Sequence, residues 1–263
     1  MTALTDYQVD ARGVASITLN RPEKHNAFDD TMIAELIDHL HQAQDDNQVR
    51  VLVLKSRGKN FSAGADLAWM RSMADKNYDE NIADSQQLSK LMADLNDFSK
   101  PTIALVQGAA FGGAVGLAAC CDIVLAQENT SFCLSEVKIG LIPAVISPYV
   151  IAAIGARQAR RYMLTAERFF AEQALQVGLV HQICDDFDAA LERLLDALLN
   201  NSPAALDACK QLIAEVSAQP LGEPLRNLTI ERIAAIRVSE EGQEGLTAFL
   251  DKRPARWTQP KNH

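Results

Sequence analysis

The chain has 263 residues, of which 48% are hydrophobic and 22% charged, and its formal net charge at pH 7 is −9. This composition is typical of a soluble globular protein with a large core, organised as one large domain or as a domain with an appendage. The excess of acidic residues argues against a broad nucleic-acid-binding surface, which needs clustered positive charge.

Neither a secretion signal nor a membrane span is expected. The first ten residues lack a basic start and an apolar segment. The longest uncharged stretch near the centre, residues 102–121, is interrupted by Gln107 and four glycines. The five cysteines show no Cys-x-x-Cys spacing. Most of them are therefore expected to be small buried apolar residues, and the expected compartment is a reducing cytoplasm.

The first part of the chain alternates predicted strands with predicted helices. Residues 14–20 alternate apolar and polar positions, as a half-buried strand does. Asp29 and Asp30 are placed to start a helix with one apolar face. Residues 49–54 include a continuous apolar run, which predicts a strand buried on both faces of a parallel sheet. Repeated units of this kind indicate an α/β fold.

The next part of the chain is polar and leads to a long helix. A glycine-bearing loop, residues 56–66, feeds a predicted helix that Asp66 is placed to cap. Residues 76–84 are polar and expected to be mobile. Residues 82–98 predict a long helix that stops before Pro101.

The centre of the protein is predicted to be residues 101–122. An apolar run at residues 102–106 predicts a buried strand, and small apolar residues at 114–121 predict a helix packed on all sides. Between them the chain turns at glycines, which let the backbone approach another group closely. The first N–H groups of the helix have no partner inside it and can face a negative charge.

After the centre, the chain changes from mixed to helical character. Residues 123–126 and 131–134 predict two further strands, and Glu136 follows in a predicted loop. From Phe187 onward helical patterns dominate. The sequence therefore predicts an α/β core over residues 1–185 and an all-helical lobe over residues 186–263, which serves as a lid, an interface or both.

Several common catalytic arrangements are missing from the sequence. It contains no GxGxxG, no GxxxxGK[ST], no GxSxG and no zinc-type spacing of His, Cys and Asp. None of the five histidines stands beside a Ser or Cys in a triad-like setting. We therefore expect structural or solvated histidines and no metal site.

Three stretches remain: residues 61–66 (Phe-Ser-Ala-Gly-Ala-Asp), residues 107–113 (Gln-Gly-Ala-Ala-Phe-Gly-Gly) and Glu136 after a short strand. In order and spacing they resemble the crotonase (enoyl-CoA hydratase/isomerase) family. The similarity extends from residues 17–22 to residues 245–253. It implies a crotonase-like (ββα) spiral core with a C-terminal all-helical lobe.

The resemblance implies an oxyanion hole for an acyl-CoA thioester. A thioester that gains or loses a proton at its α-carbon builds negative charge on its carbonyl oxygen, and two fixed backbone N–H donors stabilise that charge. In the family, one donor is the residue after the glycine of the first motif, and the other is the second glycine of the next motif. The matching positions are Ala65 and Gly113.

The resemblance also implies contacts to the acyl-CoA substrate around these motifs, and no bound cofactor. In the tail, two further positions match residues that reach the CoA of a neighbouring subunit, which implies a homotrimer or a dimer of trimers. Basic residues Arg57 and Lys59 are placed where a CoA phosphate could pass. The implied substrate-binding residues are Lys24, Ala63, Ala65, Asp66, Leu67, Gly112, Gly113, Pro143, Phe249 and Lys252.

The expected acid/base is a single glutamate. The family's hydratases hold a water between two glutamates; the second matches Glu136, whereas the first falls at Gly116, which can neither hold nor deprotonate water. Residues 111–116 and 135–149 look like the methylglutaconyl-CoA hydratase-like subgroup, including isohexenylglutaconyl-CoA hydratase. Those enzymes act on branched, carboxylated enoyl-CoA esters in leucine and acyclic terpene breakdown. The resemblance therefore implies a hydratase of that kind, with Glu136 as its only acid/base.

Two alternatives stay open at the level of sequence. A Δ3,Δ2-enoyl-CoA isomerase, or other enolate chemistry on the same scaffold, needs only one shuttling base, and one glutamate is what the motifs supply. A non-catalytic acyl-CoA-binding protein is the alternative from a different class, and the glycine at position 116 is consistent with it.

Overall fold

The computed structural model describes residues 3–258 of the chain, which divides into two compact units. The larger unit comprises the chain up to Phe98 together with Thr102–Leu191, and the smaller comprises Ser99–Pro101 and the chain from Glu192. The division falls inside the helix Phe187–Leu199, whereas the sequence-based boundary, after residue 185, lies just before that helix.

A six-stranded sheet forms the body of the larger unit. Its strands are β1 (Thr5–Val9), β2 (Val14–Leu19), β3 (Val51–Ser56), β4 (Thr102–Val106), β6 (Ile123–Ala126) and β9 (Gln182–Ile183), in the spatial order β1-β2-β3-β4-β6-β9. The strands β1 and β2 are antiparallel, and all other neighbours are parallel. The apolar runs of β3 and β4 are buried, as expected of parallel strands covered on both faces.

Four helices of the larger unit pack one against the next. The helix α1 (Asp30–Asp45) contacts α3 (Tyr78–Asn96), α3 contacts α4 (Gly113–Cys120), and α4 contacts α5 (Ser147–Thr165, with non-helical backbone at Gly155). The main core includes apolar side chains from these helices and from the six-stranded sheet. The other helices are α2 (Leu67–Ala74), α6 (Ala171–Val177) and α7 (Phe187–Leu199), whose last part belongs to the smaller unit.

A second, three-stranded sheet positions the central glycine turn. It consists of β5 (Ala109–Phe111), β7 (Ser131–Cys133) and β8 (Phe169–Phe170), in the order β5-β7-β8. The pair β5–β7 is parallel and the pair β7–β8 antiparallel. The sequence predicted a turn where β5 lies, because three residues between glycines give no alternating pattern of their own.

Three further features differ from the sequence-based expectations. The long helix predicted over residues 82–98 begins earlier, at Tyr78, inside the polar segment 76–84. An Asn77–Glu80 capping box and an ion pair between Lys76 and Asp84 hold this helix start. Glu136 begins a 3-10 helix, Glu136–Ile139, in place of the predicted loop. The strand β1 was not predicted, and Glu35 of α1 fixes its start by accepting a hydrogen bond from the Thr5 N–H at 2.9 Å.

The smaller unit is helical, as predicted. Beyond the last part of α7 it contains α8 (Pro203–Ser217), α9 (Glu223–Val238) and α10 (Glu240–Leu250). Ser202 and Ser239 cap α8 and α10 through their side chains. Glu244 holds Arg253 through hydrogen bonds of 2.7 and 3.0 Å, and this contact lowers the pKa of Glu244 to about 2. Within residues 3–258, no helix has both the length and the apolar character needed to cross a bilayer.

Candidate active site

The two glycine-bearing motifs lie side by side in the larger unit. Ser62 of the first motif forms a parallel bridge with Ala110 of β5. Its N–H donates to the Ala109 carbonyl at 3.0 Å, and its carbonyl accepts from the Phe111 N–H at 3.1 Å. Residues 61–66 therefore extend the small sheet and run along residues 107–113. The structure brings the two predicted motifs together.

The backbone N–H of Ala65 points away from Phe28, the residue with which Ala65 forms a parallel bridge. On either side of it, the Phe28 N–H donates to the Gly64 carbonyl at 3.0 Å and the Asp66 N–H donates to the Phe28 carbonyl at 2.9 Å. Because successive backbone groups of an extended segment point in opposite directions, the Ala65 N–H points away from Phe28. Within residues 3–258 it has no hydrogen-bond acceptor.

The N–H of Gly113 is the first of helix α4 and is likewise available. The preceding residue, Gly112, has φ 54° and ψ −123°, a conformation that favours glycine, and its own N–H donates to the Cys133 carbonyl at 2.8 Å. No acceptor for the Gly113 N–H is present in the described part of the chain. A Cβ on Gly113 would lie 2.6 Å from Cζ of Phe28. Phe28 therefore touches both predicted donor segments.

Glu136 stands next to these donors. One of its carboxylate oxygens, Oε1, lies 3.1 Å from the position that a Cβ on Gly112 would occupy. The other, Oε2, is buried and has no hydrogen-bond partner among residues 3–258. Burial raises the pKa of the Glu136 carboxyl, and a hydrogen bond from its own N–H offsets this only in part. The arrangement combines two free N–H donors with one carboxyl group whose pKa is raised.

An ion network supports the first motif at the start of α2. Asp66 accepts hydrogen bonds from the Ala68 and Trp69 N–H groups at 2.7 and 3.2 Å. It also pairs with Arg21 at 3.1 Å and with Lys24 at 3.3 Å. Burial alone would raise the pKa of Asp66, but these N–H groups and cations outweigh it and lower the pKa. Lys24, one of the predicted substrate-binding residues, is half-exposed while it contacts Asp66.

The remaining predicted substrate-binding residues fall into two groups. The N–H of Ala63 donates to the His25 carbonyl at 3.0 Å, Leu67 is 74% exposed, and Pro143 is buried between the 3-10 helix and α5. Phe249 and Lys252 belong to the smaller unit: Phe249 is 81% exposed near the end of α10, and Lys252 follows that helix with φ 54°.

Two further expectations can be compared with the structure. Arg57, predicted to lie on the path of a CoA phosphate, forms an ion pair with Asp6 at 2.8 Å, so that role would require exchange of its partner. Residues 3–258 contain no cluster of three or more His, Cys, Asp and Glu side chains that could hold a metal ion.

Sequence reasoning overlooked four residues that build the site. Phe28 contacts both donor segments, and Arg21 joins Asp66 to Asp29 through ion pairs of 3.1 and 2.9 Å. Asn26 is fully buried, and its side chain links the Arg21 N–H to the Arg57 and Asn60 carbonyls, each at 2.8 Å. Ile146 packs against Gly116. For Arg21 and Asn26 the only sequence signal was the polar cluster Arg-Pro-Glu-Lys-His-Asn after a strand, which a loop would equally explain.

Comparison with known proteins assigns this arrangement to a family. The profile of the enoyl-CoA hydratase/isomerase family matches residues 10–261. An enoyl-CoA hydratase structure from Shewanella pealeana is 54% identical, with a TM-score of 0.95 over 97% of this chain and 96% of that chain. The predicted crotonase-like α/β fold is therefore confirmed.

Two curated relatives show that the family contains more than one activity. The 2,3-dehydroadipyl-CoA hydratase of Escherichia coli is 34% identical over 91% of this chain and 93% of its own length. The trans-2-decenoyl-acyl-carrier-protein isomerase of Streptococcus mutans is 29% identical over 96% of this chain and 97% of its own length. Hydratases and isomerases thus both align with nearly the whole chain.

Proposed function

This chain belongs to the enoyl-CoA hydratase/isomerase family, and on that premise we propose that it adds water to branched, carboxylated 2-enoyl-CoA thioesters of the methylglutaconyl-CoA type. The observation that carries the proposal is the position of Glu136: its carboxylate packs against Gly112, directly before the free N–H of Gly113.

The two backbone donors would stabilise the charge that develops during the reaction. When the thioester becomes an enolate, its carbonyl oxygen becomes negative, and the N–H groups of Ala65 and Gly113 are free to donate to it. Both are fixed by neighbouring hydrogen bonds, so they need little reorganisation when the charge appears. One such donor typically contributes about 10²–10³ in rate.

Glu136 would move the proton in both halves of the addition. As the water oxygen bonds to C3, Glu136 takes a proton from that water, and the electron pair of the double bond shifts toward the thioester carbonyl. Glu136 then delivers the proton to C2 and returns to its ionised state. A raised pKa suits both steps, because a general acid/base works best with a pKa close to the working pH.

The substrate class is supported by sequence and by one relative. Residues 111–116 and 135–149 are similar to enzymes of branched, carboxylated enoyl-CoA esters. The name of the Escherichia coli relative, 2,3-dehydroadipyl-CoA hydratase, likewise specifies an acyl group with a distal carboxylate. A role in leucine degradation would follow from such a substrate.

A second candidate activity is Δ3,Δ2-enoyl-CoA isomerisation. It is favoured by the single positioned acid and by the apolar side chain of Ile146 beside Gly116, because an isomerase needs one base and no water. The Streptococcus mutans relative is named as an isomerase. Incubation with matched 2-enoyl-CoA and 3-enoyl-CoA esters separates the two: loss of the conjugated thioester absorbance shows hydration, and its appearance shows isomerisation.

The test of the proposed function is the Glu136→Gln variant with 3-methylglutaconyl-CoA as substrate. The amide keeps the shape of the side chain but cannot take up a proton, so we expect kcat to fall by about 10²–10⁴ while ester binding by calorimetry stays within a few-fold. The matched control is Glu128→Gln, which alters an exposed glutamate of the same unit and should leave kcat unchanged. Retained turnover in Glu136→Gln would refute the assignment.

A further inference from the structure

The space beside Gly116 is filled by apolar side chains. The backbone at Gly116 is helical, so the requirement for glycine here concerns space and not conformation. A Cβ on Gly116 would overlap the side chain of Ile146, most closely its Cγ2, with its Cβ at 2.8 Å, and would lie 3.3 Å from Cε of Met92. Ile146 and Met92 are 2% and 0% exposed, so neither can easily move aside.

This filled space lies at the same end of α4 as Glu136. Gly112 immediately precedes α4 and Gly116 lies in its first turn, so both belong to the start of this helix. Glu136 packs against Gly112 and Ile146 packs against Gly116. Glu136 is the first residue of the 3-10 helix, and Ile146 immediately precedes α5. The acid and the isoleucine thus both pack against the start of α4.

We propose that Ile146 is a positioning residue that makes Glu136 the only acid at the start of α4. Its side chain occupies the place where a carboxylate-bearing side chain at position 116 would otherwise stand. Gly116 and Ile146 form one steric unit, because any side chain at position 116 requires a smaller residue at position 146. This inference rests on the proposed function, since it concerns how the same acid works.

The steric unit has a consequence for the chemistry. With apolar atoms of Ile146 and Met92 beside Gly116, no group there can take a proton from water or share one with Glu136. The proton removed from the nucleophile and the proton delivered to the α-carbon must therefore pass through the same carboxylate. A site with a carboxylate at position 116 would divide these two tasks.

The steric part is tested by a double-mutant cycle on thermal stability. Gly116→Ala alone should lower the melting temperature by roughly 2–10 °C, because overpacking cannot be relieved. In the Ile146→Ala background the same substitution should cost much less, because the new methyl group enters the vacated space. The matched control is Ile154→Ala, a buried isoleucine inside α5, in whose background Gly116→Ala should keep its full cost. Equal costs in all three backgrounds would overturn the proposal.

The chemical part is tested by Gly116→Glu combined with Ile146→Ala, compared with Ile146→Ala alone. With crotonyl-CoA we expect hydration to rise at least tenfold relative to isomerisation. We also expect the pH profile of kcat/KM to show a second ionisation, because two neighbouring carboxylates titrate in two steps. An unchanged ratio and profile in the folded double variant would overturn the proposal. Wild-type protein without turnover of any enoyl-CoA would instead overturn the proposed function, while the stability cycle would stay informative.

Discussion

The carboxylate oxygen Oε2 of Glu136 is buried and accepts no hydrogen bond from any group of residues 3–258. A buried polar atom without a partner lowers the free energy of unfolding, because the group has lost its water without gaining a protein hydrogen bond. Such a cost is typical of residues retained for chemistry and not for stability. The same burial raises the pKa of this carboxyl, so the proposed acid/base function and the expected stability cost have one physical origin.

The cost of Glu136 should depend on pH in a defined direction. Because its pKa is raised on folding, the folded state holds the proton at pH values where the unfolded state has released it. The free energy of unfolding therefore falls as pH rises from the ordinary carboxyl range, about 4, through the raised pKa. Glu136→Gln does not titrate and lacks this fall.

We therefore expect the melting temperature of Glu136→Gln, relative to that of the wild type, to be higher at pH 7 than at pH 4. Thermal unfolding of both proteins at the two pH values measures this difference. The exposed-site variant Glu128→Gln should not show it. A difference in melting temperature between wild type and Glu136→Gln that stays constant over this pH range would contradict the raised pKa of Glu136.

At the scale of elements, the donors depend on where two helices begin. The helix α2 starts immediately after Ala65 and Asp66, and α4 starts at Gly113. The start of α4 supplies the Gly113 N–H, which has no intrahelical partner, whereas the pairing of residues 64–66 with Phe28 turns the Ala65 N–H outward. Asp66 fixes the first of the two starts by capping α2 and pairing with Arg21 and Lys24.

Asp66→Asn should therefore weaken both stability and catalysis. The amide can still accept one N–H, but the buried charge that balances Arg21 is lost, so we expect the free energy of unfolding to fall by about 1–3 kcal/mol. We expect kcat to fall as well, because the Ala65 N–H directly precedes this cap. Denaturant titration and steady-state kinetics measure the two effects.

The matched control for Asp66→Asn is Asp10→Asn. Asp10 also accepts from two N–H groups, those of Arg12 and Val14, and pairs with a cation, but on an exposed turn. Asp10→Asn should lower the free energy of unfolding by at most about 1 kcal/mol, since exposed ion pairs contribute little. Equal losses in the two variants would show that burial of the Asp66 network is not what matters.

At the scale of the whole molecule, the smaller unit presents many apolar side chains to solvent. Exposed apolar surface of this extent is typical of an interface. We propose that it serves assembly into a homotrimer or a dimer of trimers, as the family resemblance implies. The exposed apolar side chains are Ile213, Leu221, Ile230, Ile233, Val238, Leu246, Phe249 and Leu250.

Lys252, beyond α10, tests the proposed contact with a neighbouring subunit's CoA. If its ammonium group binds a CoA phosphate, Lys252→Gln should raise KM for a CoA ester by about tenfold, the effect of losing one charged hydrogen bond. The corresponding pantetheine ester, which lacks the nucleotide phosphates, should show no change. Lys252→Arg keeps the charge and should stay close to the wild type. Equal effects of Lys252→Gln on both esters would contradict the contact.

Features with local causes could be predicted from the sequence alone. Asp29 and Asp66 each cap the helix that follows them, as predicted, and Ser202 and Ser239 are caps of the same residue class. The buried strands β3, β4 and β6 were evident as apolar runs, because burial on both faces leaves no polar alternation. The two glycine motifs and Glu136 identified the family, since their order along the chain is itself the signal.

Contacts between distant parts of the chain were decided only by the tertiary structure. The strands β1 and β5 carry no periodic pattern strong enough to predict them, and each is defined by its pairing partner. The contact of Phe28 with both donor segments could not be predicted from the sequence. The same holds for the position of Ile146 beside Gly116. The physical reason is that composition and periodicity report which face of an element is buried, whereas the neighbour that fills a given space is set by how the elements pack.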